Sequence, residues 1–413
     1  MTGLRRILLS CGLALAGCTA PPQAQLSPRP AEQAEIREPV TILISIDGFR
    51  ADYLERGITP HLRALAERGV SAAMRPSFPT KTFPNHYTLV TGLRPDRHGI
   101  VDNIMEDPRR PRVTFTPGDP VQALDPFWWE QAEPIWTTAE RSGIRTATLF
   151  WPGSELAIGG IRPSTWQRFH QDITGAQRVE AAMDWLRRPA ATRPRFAALY
   201  FDTVDTAGHD HGPHAPGTDS AIAEVDARIG DLVAGLEALG QPANIVVVAD
   251  HGMAATAPER VVPIASLVDP AKVRIIGEGS HAGFQPLEGK SEAVAQALLR
   301  PRDHVACWRR SEIPARFHYG VNPRVPAFLC LAETGWLLTR PDRAPSFGGA
   351  HGYDNQAPDM LALFAAAGPA FRRGVRLPAF DNVDVYPLLA RLIGIAPRPG
   401  DGGPALTAAA LAE

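Results

Sequence analysis

Residues 40–47 read "VTILISID". The run is almost continuously apolar, rich in β-branched side chains, and ends in an acid. A strand with one wet face alternates polar and apolar residues; an unbroken run fits a strand covered on both faces, as in a parallel sheet. Runs of the same kind recur as "RTATLF" (145–150), "RFAALYF" (195–201), "NIVVVA" (244–249) and "MLALFA" (360–365). Helical patterns lie between them. "ITPHLRALAERG" (58–69) puts Leu62, Leu65 and Ala66 on one face and stops at Gly69. "TDSAIAEVDARIGDLVAGLEALG" (218–240) offers Thr218 and Asp219 as caps, and "VDVYPLLARLIG" (383–394) carries Pro387 near its start. This alternation predicts an α/β fold, a mainly parallel sheet with helices on both faces, with ligands at the carboxyl ends of the strands. From about 256 to 344 the rhythm breaks into prolines and short runs. A smaller α+β insertion is expected there, inside a catalytic domain spanning 40–413.

The 413 residues are 44% hydrophobic and 21% charged, which fits a globular chain. Net charge is −2, and only Lys81, Lys272 and Lys290 are lysine. That balance argues against a nucleic-acid-binding surface. The first 18 residues, "MTGLRRILLSCGLALAGC", place Arg5 and Arg6 before an apolar run from Ile7 to Ala16. The run is too short to span a membrane and has the length of a signal core. "LAGC" resembles a bacterial lipoprotein cleavage box. It implies a lipidated Cys18 and a protein held on the periplasmic side of a membrane; Thr19 at the next position favours the outer one. An ordinary cleaved signal is the alternative. Residues 19–39, rich in Pro, Gln and Ala, read as a flexible tether. Cys307 and Cys330 then remain, most simply as one disulfide, otherwise as two buried thiols.

Three strand-like runs end in acids. "ILISID" ends in Asp47, "ALYFDTVDTAGHDHG" offers Asp202, Asp205, His209 and His211, and "IVVVADHG" ends in Asp250 and His251. "AHGYDN" adds His351 before the last strand. A lone Asp after a strand is usually a turn or cap residue. Carboxylates and imidazoles gathered at one sheet edge would repel or suffer desolvation, and a pair of divalent cations resolves that. Asp205 and His209 are spaced i,i+4 and share a helix face. Asp202, Asp210, His211 and His214 are set aside, because only Asp205 with His209 combines spacing with a strand end. Mixed carboxylate and imidazole donors suit zinc best, and also admit manganese or iron.

"FPTKTFPNHYTLVT" (78–91) holds a Thr-Lys-Thr segment between Pro79 and Pro84. A threonine hydroxyl is a weak nucleophile until a base or metal activates it. Thr82 is also placed to cap the following helix, whose N-terminus suits an anionic phosphoryl group.

These residues resemble the nucleotide pyrophosphatase/phosphodiesterase family of the alkaline phosphatase superfamily. The resemblance rests on "IDGFR", "PTKTFPNHYTLVTGLRPDRHGIVDN", "FWPGSE", "DTAGHDHGP", "ADHGM" and "HGYDN", in that order, across most of 40–365. It implies two zinc ions, one held by Asp205, His209 and His351, the other by Asp47, Asp250, His251 and the Thr82 oxygen. Thr82 would be the nucleophile. Asn103, with the Thr82 backbone N–H, would bind a non-bridging phosphoryl oxygen. Phe83 matches the first of two aromatic residues that sandwich a nucleobase. The second is usually Tyr; here "STWQRFHQD" offers Phe169, with Trp166 as the alternative, and Tyr200 is a further pocket candidate. The implied reaction releases nucleoside 5′-monophosphates from nucleotide diesters and pyrophosphates through a covalent threonine intermediate. Rival expectations are a choline-phosphodiester or lysophospholipid phosphodiesterase, a phosphomonoesterase, and, more remotely, a non-catalytic zinc-binding lipoprotein.

Overall fold

The "VTILISI" run forms the strand Val40–Ile46, all seven residues buried, at the centre of a sheet with nine strands among the described residues. The computed structural model describes residues 35–340, 342 and 345–412. The signal segment, Cys18 and most of the tether lie outside them. Arg37 donates to the Leu186 carbonyl and to Gln241 Oε1, so the chain is fastened to the domain three residues before the first strand.

The central strand pairs in parallel with Phe196–Phe201 on one side and Ala243–Val248 on the other. Thr146–Leu149 and Thr165–Gln167 continue the parallel set beyond Phe196–Phe201. The 360–365 run becomes Ala362–Ala367, displaced by a 3-10 turn over Pro358–Met360, and runs antiparallel to both neighbours. Its direction matters: the segment entering an antiparallel strand lies at the edge where its parallel neighbours end. His351 therefore approaches the same edge as Asp47 and Asp250.

One helix reading shifts in detail and another holds. The long helix runs Pro216–Leu239, starting ahead of the expected caps, because Pro216 at the first turn presets the helical φ. Thr218 lies inside it and donates to the Ala207 and Gly212 carbonyls, while Asp219 pairs with Arg56. The helix Pro60–Arg68 buries Leu62, Leu65 and Ala66 as its pattern requires.

Between 256 and 344 lies a four-stranded antiparallel sheet, ordered Val273–Ile276, His281–Pro286, Phe328–Ala332 and Val305–Arg309. With the helix Ser291–Leu298 it encloses its own core, including Phe284, Val294, Leu298 and Phe328. Cys307 and Cys330 face each other in register on adjacent strands and form a disulfide. No described helix is long and apolar enough to cross a membrane.

Candidate active site

Register brings the acids together. Ile46 lies beside Phe201 and Ser45 beside Val248, so the chain leaves three neighbouring strands at one level. Asp47 follows the first directly and Asp250 follows the third by two residues. After the second, Asp202 occupies the residue before the helix Thr203–His211, which carries Asp205 and His209 on one face. Gly48, at φ +68°, makes the first turn possible: a Cβ there would stand 3.0 Å from Asp205. Its N–H donates to Asp250 Oδ1 at 3.2 Å.

The histidines share one orientation. Nδ1 of His209 faces the Gly349 carbonyl at 2.8 Å, that of His251 the Gly252 carbonyl at 2.9 Å, and that of His351 the Thr80 carbonyl at 2.8 Å. A ring nitrogen opposite a carbonyl carries the proton, which leaves Nε2 of each ring as a donor pair. His251 Nε2 stands 3.0 Å from Asp250 Oδ2 and 3.5 Å from Asp47 Oδ1; His351 Nε2 stands 3.8 Å from Asp205 Oδ1. Ligand atoms of Asp47, Asp250 and His251 lie within 4.8 Å of one another, as do those of Asp205, His251 and His351. His209 stands just outside the second group, with Nε2 3.4 Å from Asp205 Oδ2.

Three buried carboxylate oxygens, Asp47 Oδ1, Asp205 Oδ1 and Asp250 Oδ2, make no hydrogen bond. Buried unpaired anionic oxygens are expensive, and lone pairs converging on them from imidazoles are the donor set of a divalent cation. These residues fit a metal centre. The electrostatics agree. Burial, reinforced by the Asp250 and Asp205 charges, pushes the Asp47 carboxyl well up. Burial opposes ionisation of Asp250 too, but positive charge on the His251 and His86 side outweighs it and holds that carboxyl well down, the charge that a cation would supply once His251 Nε2 turns its lone pair to it. His351 is kept neutral by burial and by His251, Lys81 and His209, as a ligating imidazole must be.

Thr82 is the first residue of the helix Thr82–Thr91; Lys81, not Thr82, occupies the cap position, so the hydroxyl is not spent on capping. Thr82 Oγ1 stands 3.3 Å from His251 Nε2. Thr80 is committed elsewhere: its buried hydroxyl accepts from the Gly352 N–H and lies in donating range of the Tyr353 carbonyl. Asn85 holds the turn between the prolines, donating to the Pro79 and Lys81 carbonyls. Asn103 Oδ1 accepts the Phe83 N–H at 2.9 Å, which leaves its amide nitrogen as the free donor.

A cleft of about 520 Å³ opens over Thr82, Asp47 and Asp205. Asn103, Phe83, Phe169 and Tyr200 line it; Trp166, partly exposed, does not. Tyr200 also points its hydroxyl at the site, donating to Asp47 Oδ2 at 2.6 Å. Trp129, Phe150 and Trp151 line the cleft as well and were not singled out by sequence reasoning. The clustered aromatics of "FWW" (127–129) and "FW" (150–151) were the available signal. Asp202 reaches the cleft wall but is neutralised by Arg178 at 2.7 Å. Asp202, Asp210, His211 and His214 belong to neither ligand group.

A profile of the type I phosphodiesterase / nucleotide pyrophosphatase family matches residues 41–354. An uncharacterized pyrophosphatase/phosphodiesterase of Schizosaccharomyces pombe is 37% identical over 385 residues, covering 87% of this chain and 78% of that protein. The bis(5′-adenosyl)-triphosphatase enpp4 of Xenopus laevis is 36% identical over 368 residues, covering 88% of this chain and 80% of that one. Among solved structures, murine ectonucleotide pyrophosphatase/phosphodiesterase 5, an inactive threonine-to-alanine variant in complex with AMP, superposes with a TM-score of 0.87 at 33% identity. That match covers 91% of this chain and all of the murine one.

Proposed function

The chain belongs to the type I phosphodiesterase / nucleotide pyrophosphatase family and is a nucleotide pyrophosphatase/phosphodiesterase; from that premise we propose that Thr82 is its nucleophile and nucleoside 5′-monophosphate its product. The observation that carries this reading is the Thr82 hydroxyl, 3.3 Å from His251 Nε2, at a helix start on the floor of the cleft. Two divalent cations, zinc by donor chemistry, would be held by Asp47, Asp250 and His251 and by Asp205, His209 and His351; when bound they supply charge stabilisation at the phosphoryl oxygens and favour the ionised form of a hydroxyl.

Thr82 gives its hydroxyl proton to solvent and attacks phosphorus. The bond to the leaving nucleotide or pyrophosphate breaks and a nucleotidyl-threonine forms. Water then attacks the same phosphorus, the threonine oxygen leaves, and the 5′-monophosphate is released. The Asn103 amide and the Thr82 backbone N–H, at the start of the Thr82–Thr91 helix, donate to a non-bridging oxygen as its charge grows. Phe83 and Phe169, which both line the cleft, hold a base by stacking, which needs no hydroxyl on either ring. The AMP complex of the murine relative supports a nucleotide in this cleft.

The test is Thr82→Ala with metal content measured in parallel. Turnover should vanish with metal retained, Thr82→Ser should keep part of the rate, and acid-quenched enzyme should carry a nucleotidyl mass on Thr82. Full activity of Thr82→Ala refutes the assignment. Lipid attachment at Cys18 on the periplasmic side of a bacterial membrane stands as a proposal on "LAGC" alone. Radiolabelled palmitate that fails to enter the wild-type chain would end it.

A further inference from the structure

Behind the reacting face a second polar cluster joins the smaller lobe to the catalytic loop. Asp102 precedes Asn103, and Asp102 Oδ1 accepts the Asn103 backbone N–H at 2.6 Å. Asp102 Oδ2 meets His281 Nε2, also at 2.6 Å. His281 opens the strand His281–Pro286 of the smaller lobe and is buried. Its other ring nitrogen faces the Gly352 carbonyl at 3.1 Å. Ser280, the preceding residue, donates to the His351 carbonyl at 2.7 Å, and Lys81 Nζ donates to the same oxygen at 3.0 Å. Gly352, at φ +104°, has no room for a side chain: a Cβ would lie 2.3 Å from Ser280 Oγ and 2.5 Å from Lys81 Cε.

We propose that Asp102 and His281 are positioning residues: the pair aims the Asn103 amide at the reacting phosphoryl group, using the smaller lobe and the His351–Gly352 backbone as its brace. The inference rests on the reading that Asn103 donates to a non-bridging oxygen. Neither residue lines the cleft, so neither touches substrate. Their contribution passes through Asn103, whose side-chain oxygen is held by the Phe83 N–H and whose backbone N–H is held by Asp102. With both ends tied, the free amide nitrogen has one direction left. Burial alone would raise the Asp102 carboxyl; His281, by charge and hydrogen bond, and Lys81 more than offset it and keep it ionised, hence a strong acceptor. An alternative is that the pair merely glues the lobe to the domain, and the test must separate the two.

Four variants of the metal-loaded enzyme do so: Asn103→Ala, Asp102→Asn, His281→Ala and His281→Gln, with the double variant Asp102→Asn/His281→Ala. Each is assayed for kcat, KM, metal content and melting temperature, with an oxygen diester and its phosphorothioate counterpart. Misplacing a donor by a fraction of an ångström to an ångström costs on the order of 10- to 100-fold in rate. The expected result is that loss in kcat for Asp102→Asn and His281→Ala, with KM within about threefold and metal retained. The thio effect should move the same way as in Asn103→Ala, because sulfur weakens the hydrogen bond that Asn103 makes. His281→Gln, which keeps a donor toward Asp102, should recover part of the rate, and the double variant should be no slower than the slower single. Unchanged kcat in both singles, additive losses, or a loss explained by unfolding or missing metal overturns the proposal while leaving the role of Asn103 intact. An Asn103→Ala variant with full rate and an unaltered thio effect removes the Asn103 reading and the proposal together.

Discussion

Tyr200→Phe isolates one hydrogen bond. The Tyr200 hydroxyl donates to Asp47 Oδ2 at 2.6 Å, and Asp47 is 2% exposed. The substitution keeps the ring against the cleft and removes only the donor. A hydrogen bond to a charged group contributes about 1.5–3 kcal/mol. It is one of the few favourable influences on an Asp47 carboxylate that burial and two neighbouring acids push toward protonation. An independent gauge is the effect of removing an outer partner of a metal ligand, about 10- to 100-fold in metal affinity, or about 1.4–2.7 kcal/mol at 1.36 kcal/mol per tenfold. The two ranges overlap from about 1.5 to 2.7 kcal/mol. On the zinc centre proposed above, the expected outcome is a rise of about 10- to 100-fold in the free zinc needed for half-maximal activity. KM for the nucleotide at saturating zinc should stay within about threefold, since the ring remains. Zinc-buffered activity titrations, paired with chelator competition on the purified enzyme, measure both. An unchanged zinc requirement, or an equal activity loss that saturating zinc fails to restore, refutes the argument that Tyr200 works through Asp47.

Two further outcomes follow from the same geometry. Phe169→Ala should weaken a nucleotide substrate by about 1–3 kcal/mol, the value of one stacked base, read as kcat/KM, whereas Trp166→Ala outside the cleft should leave it unchanged; equal effects would mean that the ring beside the base is misassigned. Asp107→Asn removes the carboxylate that the fully buried Arg324 meets at 2.8 Å, and should cost about 3 kcal/mol at neutral pH, the lower end because Arg324 keeps the Gly99, Trp128 and Phe127 carbonyls. Burial opposes ionisation of Asp107, but Arg109 and Arg324 outweigh it and hold its carboxyl far below the ordinary range; with the folded pKa depressed, the stabilisation is full above about pH 5 and fades below it as acid protonates the unfolded chain's Asp107 while the native carboxylate stays ionised, vanishing only below the folded pKa. Chemical denaturation of both proteins at pH 7 and pH 3 should show the gap narrowing by about 1 kcal/mol at the lower pH; a constant gap would show that Asp107 acts through packing instead.

Much of the architecture was legible along the chain. Strands covered on both faces cannot alternate, so five apolar runs announced themselves, and the acidic ends of three of them pointed at one sheet edge. The i,i+4 pair Asp205 and His209 was readable because a helix repeats every 3.6 residues. Direction was not legible: an apolar run reads alike in either sense, and only pairing made Ala362–Ala367 antiparallel and so delivered His351 to the edge. Thr218 and Asp219 looked like caps because cap chemistry is local, yet Pro216 started the helix before them.

The residue types of the metal centre and the Thr-Lys-Thr turn are properties of the sequence itself, since donor chemistry, proline geometry and helix period belong to neighbouring residues. Which threonine is free, which imidazole nitrogen faces the carboxylates, and that Tyr200 serves Asp47 as well as the cleft were decided by tertiary structure alone. Thr80 is consumed by a loop 272 residues away, and Tyr200 reaches across 153 residues to Asp47. Such partnerships depend on the register of one strand against another, and no local pattern encodes a distance between chain segments that meet only after folding.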